Sequence, residues 1–350
     1  MLNEIVDPLV DWYRENRRAL PWREQKNAYY TWVSEIMLQQ TRVEAVKPYF
    51  QRFISELPDP ATLAACPEEK LLKLWEGLGY YNRVRNMQQA ARTVVEEYGG
   101  KLPADYRKLL ALKGIGNYTA GAIASIAYGI PVPAVDGNVL RVVSRIKESR
   151  QDIMKQSVRR EIEEELQKIM PAACPGDFNQ ALMELGALVC VPNGEPKCKE
   201  CPAAFCCGAC LHGTTGEIPV KREKKERKVE ERTVLVIQDG RMTAIHRRPA
   251  KGLLAGLYEL PNIEGKLTRE QVLDKVKELE LEPLFIRELE PAKHIFSHVE
   301  WRMTGYLVRV SSMEQKKNNR LIFTEKNQVE KQYAIPSAFR AYVKYIKEET

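Results

Sequence analysis

The stretch LKGIGNYTAGA at residues 112–122, followed by PAVDGNVLRV at 133–142, decides how this chain folds and what it handles. Gly114 and Gly116 permit positive φ and leave no Cβ between the backbone and a ligand. The loop opens a helix near Tyr118, whose unpaired N–H groups and dipole favour a phosphate. A tight turn between two core helices is the plain alternative. The small residues Thr119, Ala120 and Gly121 that complete the pattern favour contact with nucleic acid. Asp136 follows twenty residues after Gly116, just ahead of Gly137 and Asn138 at a helix start. Alone it would be an ordinary N-cap, contributing about 1 kcal/mol; the glycine loop upstream tips it toward chemistry.

Outward from this motif, residues 1–216 carry apolar side chains at helical spacing, as in Trp32, Ile36, Leu38 and Val43, or Leu71, Leu72, Trp75 and Leu78. Turn signals at Leu57-Pro58, Gly99-Gly100 and Pro175-Gly176 divide the helices. Residues 217–232, EIPVKREKKERKVEER, are almost all charged and read as an exposed linker. Beyond it the period changes. TVLVIQ at 233–238 is β-branched, Asp239-Gly240 is a hairpin signal, and 299–310 alternates like a half-buried strand. Helices are expected around 268–279 and 337–346, so residues 233–350 read as α+β.

Seven of the eight cysteines lie between Cys174 and Cys210. With no secretory signal at the N-terminus, that density argues for metal rather than disulfides. Cys190, Cys198, Cys201 and Cys207 bring four thiolates into the stretch 190–207, which suits an iron–sulfur cluster or a zinc site. Cys206 adjoins Cys207, so the fourth ligand is open between them.

The string TWVSEIMLQQTRV at 31–43 places Glu35 among Val33, Ile36, Met37 and Leu38. A solvated charge on an amphipathic helix is the common fate of glutamate. Apolar surroundings would instead raise its pKa and keep it protonated near neutrality. A neutral carboxylic acid beside a carboxylate is the pairing that glycosidic-bond chemistry uses.

With its glycine loop, Asp136 and cysteine cluster, the chain over nearly all of residues 1–216 resembles the helix–hairpin–helix DNA glycosylases. SEIMLQQTRV at 34–43, LPWR at 20–23, WEGLGYYNRVRN at 75–86 and ALMELGALVC at 181–190 resemble the adenine DNA glycosylase (MutY) family within them. The resemblance implies a multidomain protein: an all-α helix–hairpin–helix glycosylase domain with a four-cysteine iron–sulfur module near 190–207, then an α+β Nudix-like domain over 233–350. It implies that Glu35 protonates an imidazole-ring nitrogen of adenine and that Asp136 stabilises, or transiently bonds, the anomeric carbon. Tyr118 and Asn138 would position Asp136 and the incoming water. Tyrosine stands at Tyr118 where the bifunctional endonuclease III branch has a lysine nucleophile, which implies base hydrolysis without efficient strand cleavage. Arg18, Trp22 and Glu184 would line the adenine pocket, Arg23 would bind substrate or DNA, and Gln40, Leu78 and Tyr80 would fill the gap in the duplex; core packing is the plain alternative for the apolar ones. Gly114 and Gly116 would grip phosphates.

The family spacing of six, two and five residues between cysteines is departed from by the seven residues VPNGEPK in the first gap, expected to be absorbed by a turn at 192–194. The five-residue gap selects Cys207, and the resemblance selects a [4Fe–4S] cluster over structural zinc. Cys210, Cys174 and Cys66 have no family counterpart and read as spares or core. Lys197 and Lys199 could meet DNA phosphates. The second half lacks the glutamate-rich metal-binding helix of Nudix hydrolases, so a recognition role is expected in place of pyrophosphate hydrolysis. HIFSH at 294–298 would meet 8-oxoguanine opposite the adenine, through Ser297 with Phe296 and His298.

The formal net charge of +7 accords with a polyanionic partner, here double-stranded DNA carrying adenine opposite 8-oxoguanine or guanine. No apolar run approaches a membrane span. A cytoplasmic, nucleoid-associated bacterial monomer is expected. Two rivals compete with this reading. A thymine or uracil mismatch glycosylase of the endonuclease III branch would not need Glu35 in its string or the HIFSH segment. A non-catalytic iron–sulfur damage sensor would need neither carboxyl.

Overall fold

The computed structural model describes residues 2–221, 226–313 and 321–347. By compactness the chain divides into two units, Met1–Cys66 with Asn82–Glu223, and Pro67–Tyr81 with Lys224–Thr350. The segment Pro67–Tyr81, expected with the helical part, groups with the second unit. Among the described residues no helix is long and apolar enough to cross a membrane.

The helices of the N-terminal two thirds are α1 (Val6–Asn16), α2 (Ala28–Leu38), α3 (Val43–Glu56), α4 (Pro60–Ala65), α5 (Glu68–Leu74, in the second unit), α6 (Asn82–Tyr98), α7 (Tyr106–Ala111), α8 (Asn117–Ala122), α9 (Gly137–Ile146), α10 (Gln156–Ile169), α11 (Pro175–Leu188) and the short α12 (Gly208–Leu211). One core joins Leu9 and Tyr13 of α1, Val139 and Val143 of α9, and Phe178, Leu182 and Leu185 of α11. Each such side chain removed from water contributes about 1.5–3 kcal/mol.

α7 and α8 form the hairpin read from the glycine motif, and the two glycines do different work. Gly114 has φ +78°, and a Cβ there would come within 2.8 Å of the Asn86 Cβ. Gly116 does not take the positive φ expected of it. It is the extended N-cap of α8, with φ −96° and ψ −179°. Its missing Cβ leaves open space in front of the α8 N-terminus.

In the second unit β1 (Lys228–Gln238) and β2 (Met242–Arg247) are antiparallel. Asp239 fixes the turn between them by accepting from the N–H groups of Arg241 and Met242 at 3.0 and 2.7 Å. β3 (Tyr258–Glu259) pairs with β2, and β4 (Asn262–Glu264) with β1. β5 (Pro283–Ile295) runs antiparallel to β6 (Val299–Val310), which lies parallel to β1. β7 (Ile322–Glu325) completes the mixed sheet against β2.

Alternation along β1 sends Val234 and Val236 to one face, with Phe339 and Tyr342, and Leu235 and Ile237 to the other, with Val272 and Val276 of α13 (Arg269–Glu278). β6 is therefore covered on both faces, and most of it is buried. The half-buried strand expected over 299–310 is thus a central one, as a strand covered twice requires. The expected linker is shorter than its charge suggested. β1 begins at Lys228, and Glu230 and Arg232 are partly buried against Trp301. Residues 222–225 of that linker lie outside the described residues.

Gly114→Ala should lower the stability of the helical unit by about 1–3 kcal/mol, because the left-handed backbone and the Asn86 contact both resist a methyl group. Gly116→Ala should stay within about 0.5 kcal/mol. Urea melts of the two variants check this, and equal losses would contradict the assignment of strain to Gly114 alone.

Candidate active site and cysteine module

Glu35 is placed by a helix that is buried along most of its length. The Asn27 side chain caps α2 by accepting from the N–H groups of Tyr29 and Tyr30, and residues Tyr29 and Thr31 to Met37 are all buried. A helix apolar on all sides belongs inside a core, and it carries Glu35 inside with it, 7% exposed. Burial pushes the Glu35 pKa from 4.5 up to about 7; the nearby Asp136 charge adds to this, while a hydrogen bond from Tyr118 and the charge of Arg23 oppose it. The Tyr118 hydroxyl, one residue into α8, donates to Glu35 Oε2.

Asp136 caps α9. Its Oδ1 accepts from Val139 N at 2.8 Å and its Oδ2 from Asn138 Nδ2 at 2.9 Å. Burial raises its pKa, but both hydrogen bonds favour the ionised form. Two carboxyl groups therefore face one cleft of about 720 Å³, and burial pushes both pKa values up, Glu35 to about 7, while two hydrogen bonds work to keep the Asp136 anion accessible. Asn138 touches Asp136 as expected; Tyr118 bonds to Glu35, where the sequence reading had it positioning Asp136.

Arg18, Trp22, Arg23, Gln40, Glu184 and Arg159 also line this cleft. Glu184 is buried. Burial alone would raise its pKa, but hydrogen bonds from Arg18 at 2.8 and 2.9 Å and from Arg23 at 3.0 Å hold it down at about 2. This fixed ion cluster stiffens the wall on which Trp22 packs edge-on to Phe50, centroids 5.4 Å apart. Gln40, just past α2, has φ +62°. Sequence reasoning missed Arg159, whose guanidinium donates to Val135 O, the carbonyl preceding Asp136.

Leu78, Tyr80 and the 296–298 turn belong to the second unit. Leu78 is buried, while Tyr80 is half exposed with φ +47°. The Tyr80 hydroxyl lies 2.8 Å from Ser297 Oγ. The turn joining β5 to β6 is closed by Phe296 N to Val299 O at 2.8 Å, and His298 O accepts from Lys228 N at 3.2 Å. Phe296 is held edge-on between His294 and Trp301, at 4.6 and 4.9 Å.

Cys190, Cys198, Cys201, Cys207 and Cys210 line one small cavity with Val142, Arg145 and Leu185. Cys206 is not among its walls; its Sγ faces Ala203 O. The extra residue of the first cysteine gap falls where Gly194 takes φ +78°, and Lys197 N to Val189 O at 3.0 Å closes that loop. Among the described residues no three potential ligands converge as a single ion requires. Soft sulfur donors lining one cavity fit an iron–sulfur cluster or a zinc ion.

A polar relay missed by sequence reading joins the two sites. Asn138 Oδ1 accepts from Arg141 Nη2 at 2.9 Å, and Arg141 Nε donates to Cys190 O at 2.9 Å. Arg145 donates to Cys190 Sγ at 3.3 Å and to Val191 O at 3.0 Å. Gly186 permits this closeness, since a Cβ there would come within 2.6 Å of the Asn138 Cβ. Two arginines four apart on an apolar helix were the available signal.

Because Glu35 holds its proton more tightly folded than unfolded, its stabilising contribution is complete below pH 4.5 and is lost as pH rises through about 7. Glu35→Gln removes that loss. Relative to the unaltered protein it should gain about 3 kcal/mol between pH 5 and pH 8, measured by denaturant melts; a constant difference would contradict the raised pKa.

The family described as HhH-GPD superfamily base excision DNA repair protein matches residues 33–168, and the NUDIX domain family matches 232–345. The chain is 35% identical to the adenine DNA glycosylase of Homo sapiens over 83% of its own length and 64% of that protein's, so it spans slightly less than two thirds of the human relative. It is 32% identical to the adenine DNA glycosylase of Buchnera aphidicola subsp. Schizaphis graminum, with 89% of each chain covered. In structure it resembles a thermostable thymine-DNA glycosylase, with TM-score 0.54 and 26% identity, over 60% of this chain and 96% of that one. Endonuclease III in a non-covalent DNA complex matches with TM-score 0.52 and 26% identity, over 61% and 98%. The carboxyl pair on the hairpin fold thus sits in a chain that belongs to the adenine DNA glycosylases, an enzyme family of the HhH–GPD base excision repair superfamily, with a NUDIX-type domain following in sequence.

Proposed function

We propose that this enzyme hydrolyses the N-glycosidic bond of adenine mispaired with 8-oxoguanine or guanine in double-stranded DNA. The observation that carries the reading is the pairing of a carboxyl raised to about 7 with a hydrogen-bonded helix-capping carboxylate in one cleft. Glu35 gives its proton to an imidazole-ring nitrogen of the extruded adenine as the bond to the sugar breaks. Asp136 stabilises the positive charge that develops at the anomeric carbon. Water bonds to that carbon and returns a proton to Glu35. Asn138 holds Asp136 in place, and Tyr118 aims the Glu35 carboxyl. Arg18, Trp22, Arg23 and Glu184 bound the base. Tyr118 offers no amine for a Schiff base, so the abasic strand stays uncut.

Gly114 and Gly116 let the α8 N-terminus meet DNA phosphate. Gln40, Leu78 and Tyr80 fill the space left by the flipped nucleotide. Ser297, tied to Tyr80 and steadied by Phe296 and His298, reads the lesion base, whose extra N–H and oxygen guanine lacks. Cys190, Cys198, Cys201 and Cys207 hold a [4Fe–4S] cluster, which fixes the loop that carries Lys197 and Lys199; the resemblance to the family favours it over structural zinc, the alternative the same thiols allow. The action belongs in the cytoplasm, on the nucleoid.

A single-turnover assay on duplexes with adenine opposite 8-oxoguanine tests this. Intact protein should release free adenine, and Glu35→Gln should lose about 10²–10⁴-fold in rate while still binding the duplex. Ser297→Ala with Phe296→Ala should narrow the rate ratio between 8-oxoguanine and guanine partners. No adenine from loaded protein would overturn the enzyme reading, and an unmoved ratio would overturn the role of the 296–298 turn.

A further inference from the structure

Five thiols, one more than a [4Fe–4S] cluster takes, face the cysteine cavity. Cys210 is the additional one. The N-cap of α12 is Cys207, and Cys210 comes three residues later, with Cys210 N donating to Cys207 O at 3.0 Å. That spacing brings both side chains to one face of a helical turn. The Cys210 side chain lies close to that of Cys198, the second cysteine of the motif, in the wall of the same cavity. Neither Cys174 nor Cys206 lines the cavity.

We propose that Cys210 is a reserve ligand of the cluster, able to take the iron site of Cys198. This rests on the cluster assignment above. In the exchange the Cys210 thiol gives its proton to solvent, its sulfur bonds to iron, and the bond from iron to Cys198 breaks as that thiolate takes up a proton. No electron is transferred. Such a swap lets the loop keep its staple when Cys198 is alkylated or oxidised. The spacing of the four motif cysteines gives no hint of it, because Cys210 reaches the cavity only through the turn of α12.

The test measures iron and sulfide per chain and the visible charge-transfer absorption of anaerobically purified full-length protein. The unaltered protein should carry roughly four irons; a colourless, zinc-loaded protein would defeat the cluster assignment itself, independently of Cys210. Cys198→Ala should keep most of its iron, whereas Cys201→Ala and the double variant Cys198→Ala with Cys210→Ala should lose nearly all. If Cys198→Ala loses iron as fully as Cys201→Ala, the proposal is wrong. Should Cys198→Ala fail to fold, Cys210→Ala decides. It should surrender iron to a chelator several-fold faster than the unaltered protein, with Cys206→Ala unchanged as control; equal rates for all three would overturn the proposal.

Discussion

The hydrogen bond from Tyr118 to Glu35 sits at the point on which the rest of the site depends. α2 brings a carboxyl into a core where its charge is poorly tolerated, and α8 brings the hydroxyl that fixes its direction. The bond alone would favour the anion; burial and the neighbouring Asp136 prevail and leave the acid poised near neutrality. Asp136 stays competent to ionise because the free N–H of Val139 and the Asn138 amide meet it at the start of α9. The helix cap and the carboxylate proposed for catalysis are here the same group, so stability and the proposed chemistry impose the same geometry.

Around that pair the protein arranges rigid partners. Glu184 is locked by Arg18 and Arg23, and Asn138 is tied through Arg141 to the backbone of Cys190. The cysteine module is thus in hydrogen-bonded continuity with the residue that orients Asp136. Buried arginines of this kind are costly unless each donor finds an acceptor. Arg141 reaches Asn138, Gly186 O and Cys190 O.

Much of this could be read from residue order. The glycine loop marked the hairpin, and Asp136 before Gly137 and Asn138 marked a cap. The apolar neighbours of Glu35 announced its burial. What escaped was what depends on the third dimension. Gly116 carries the pattern of a positive-φ glycine but is extended, because only Gly114 turns the chain. Tyr118 turned toward Glu35 and not Asp136, a choice that sequence spacing cannot express. Charge at 228–232 suggested a linker, yet strand pairing with β6 recruits it, and Arg232 lies over Trp301 at 4.4 Å. Cys210 read as a spare because its place in the cavity wall depends on the turn of α12.

The central claim is that burial keeps Glu35 an uncharged acid up to neutral pH, beside a carboxyl group that two hydrogen bonds hold ready to ionise. It is tested most directly by infrared difference spectroscopy of the unaltered protein against Glu35→Gln across a pH series. A protonated-carboxyl C=O band assigned to Glu35 should persist into neutral solution and vanish with a midpoint near 7. A midpoint near the ordinary glutamate value of 4.5 would contradict the account.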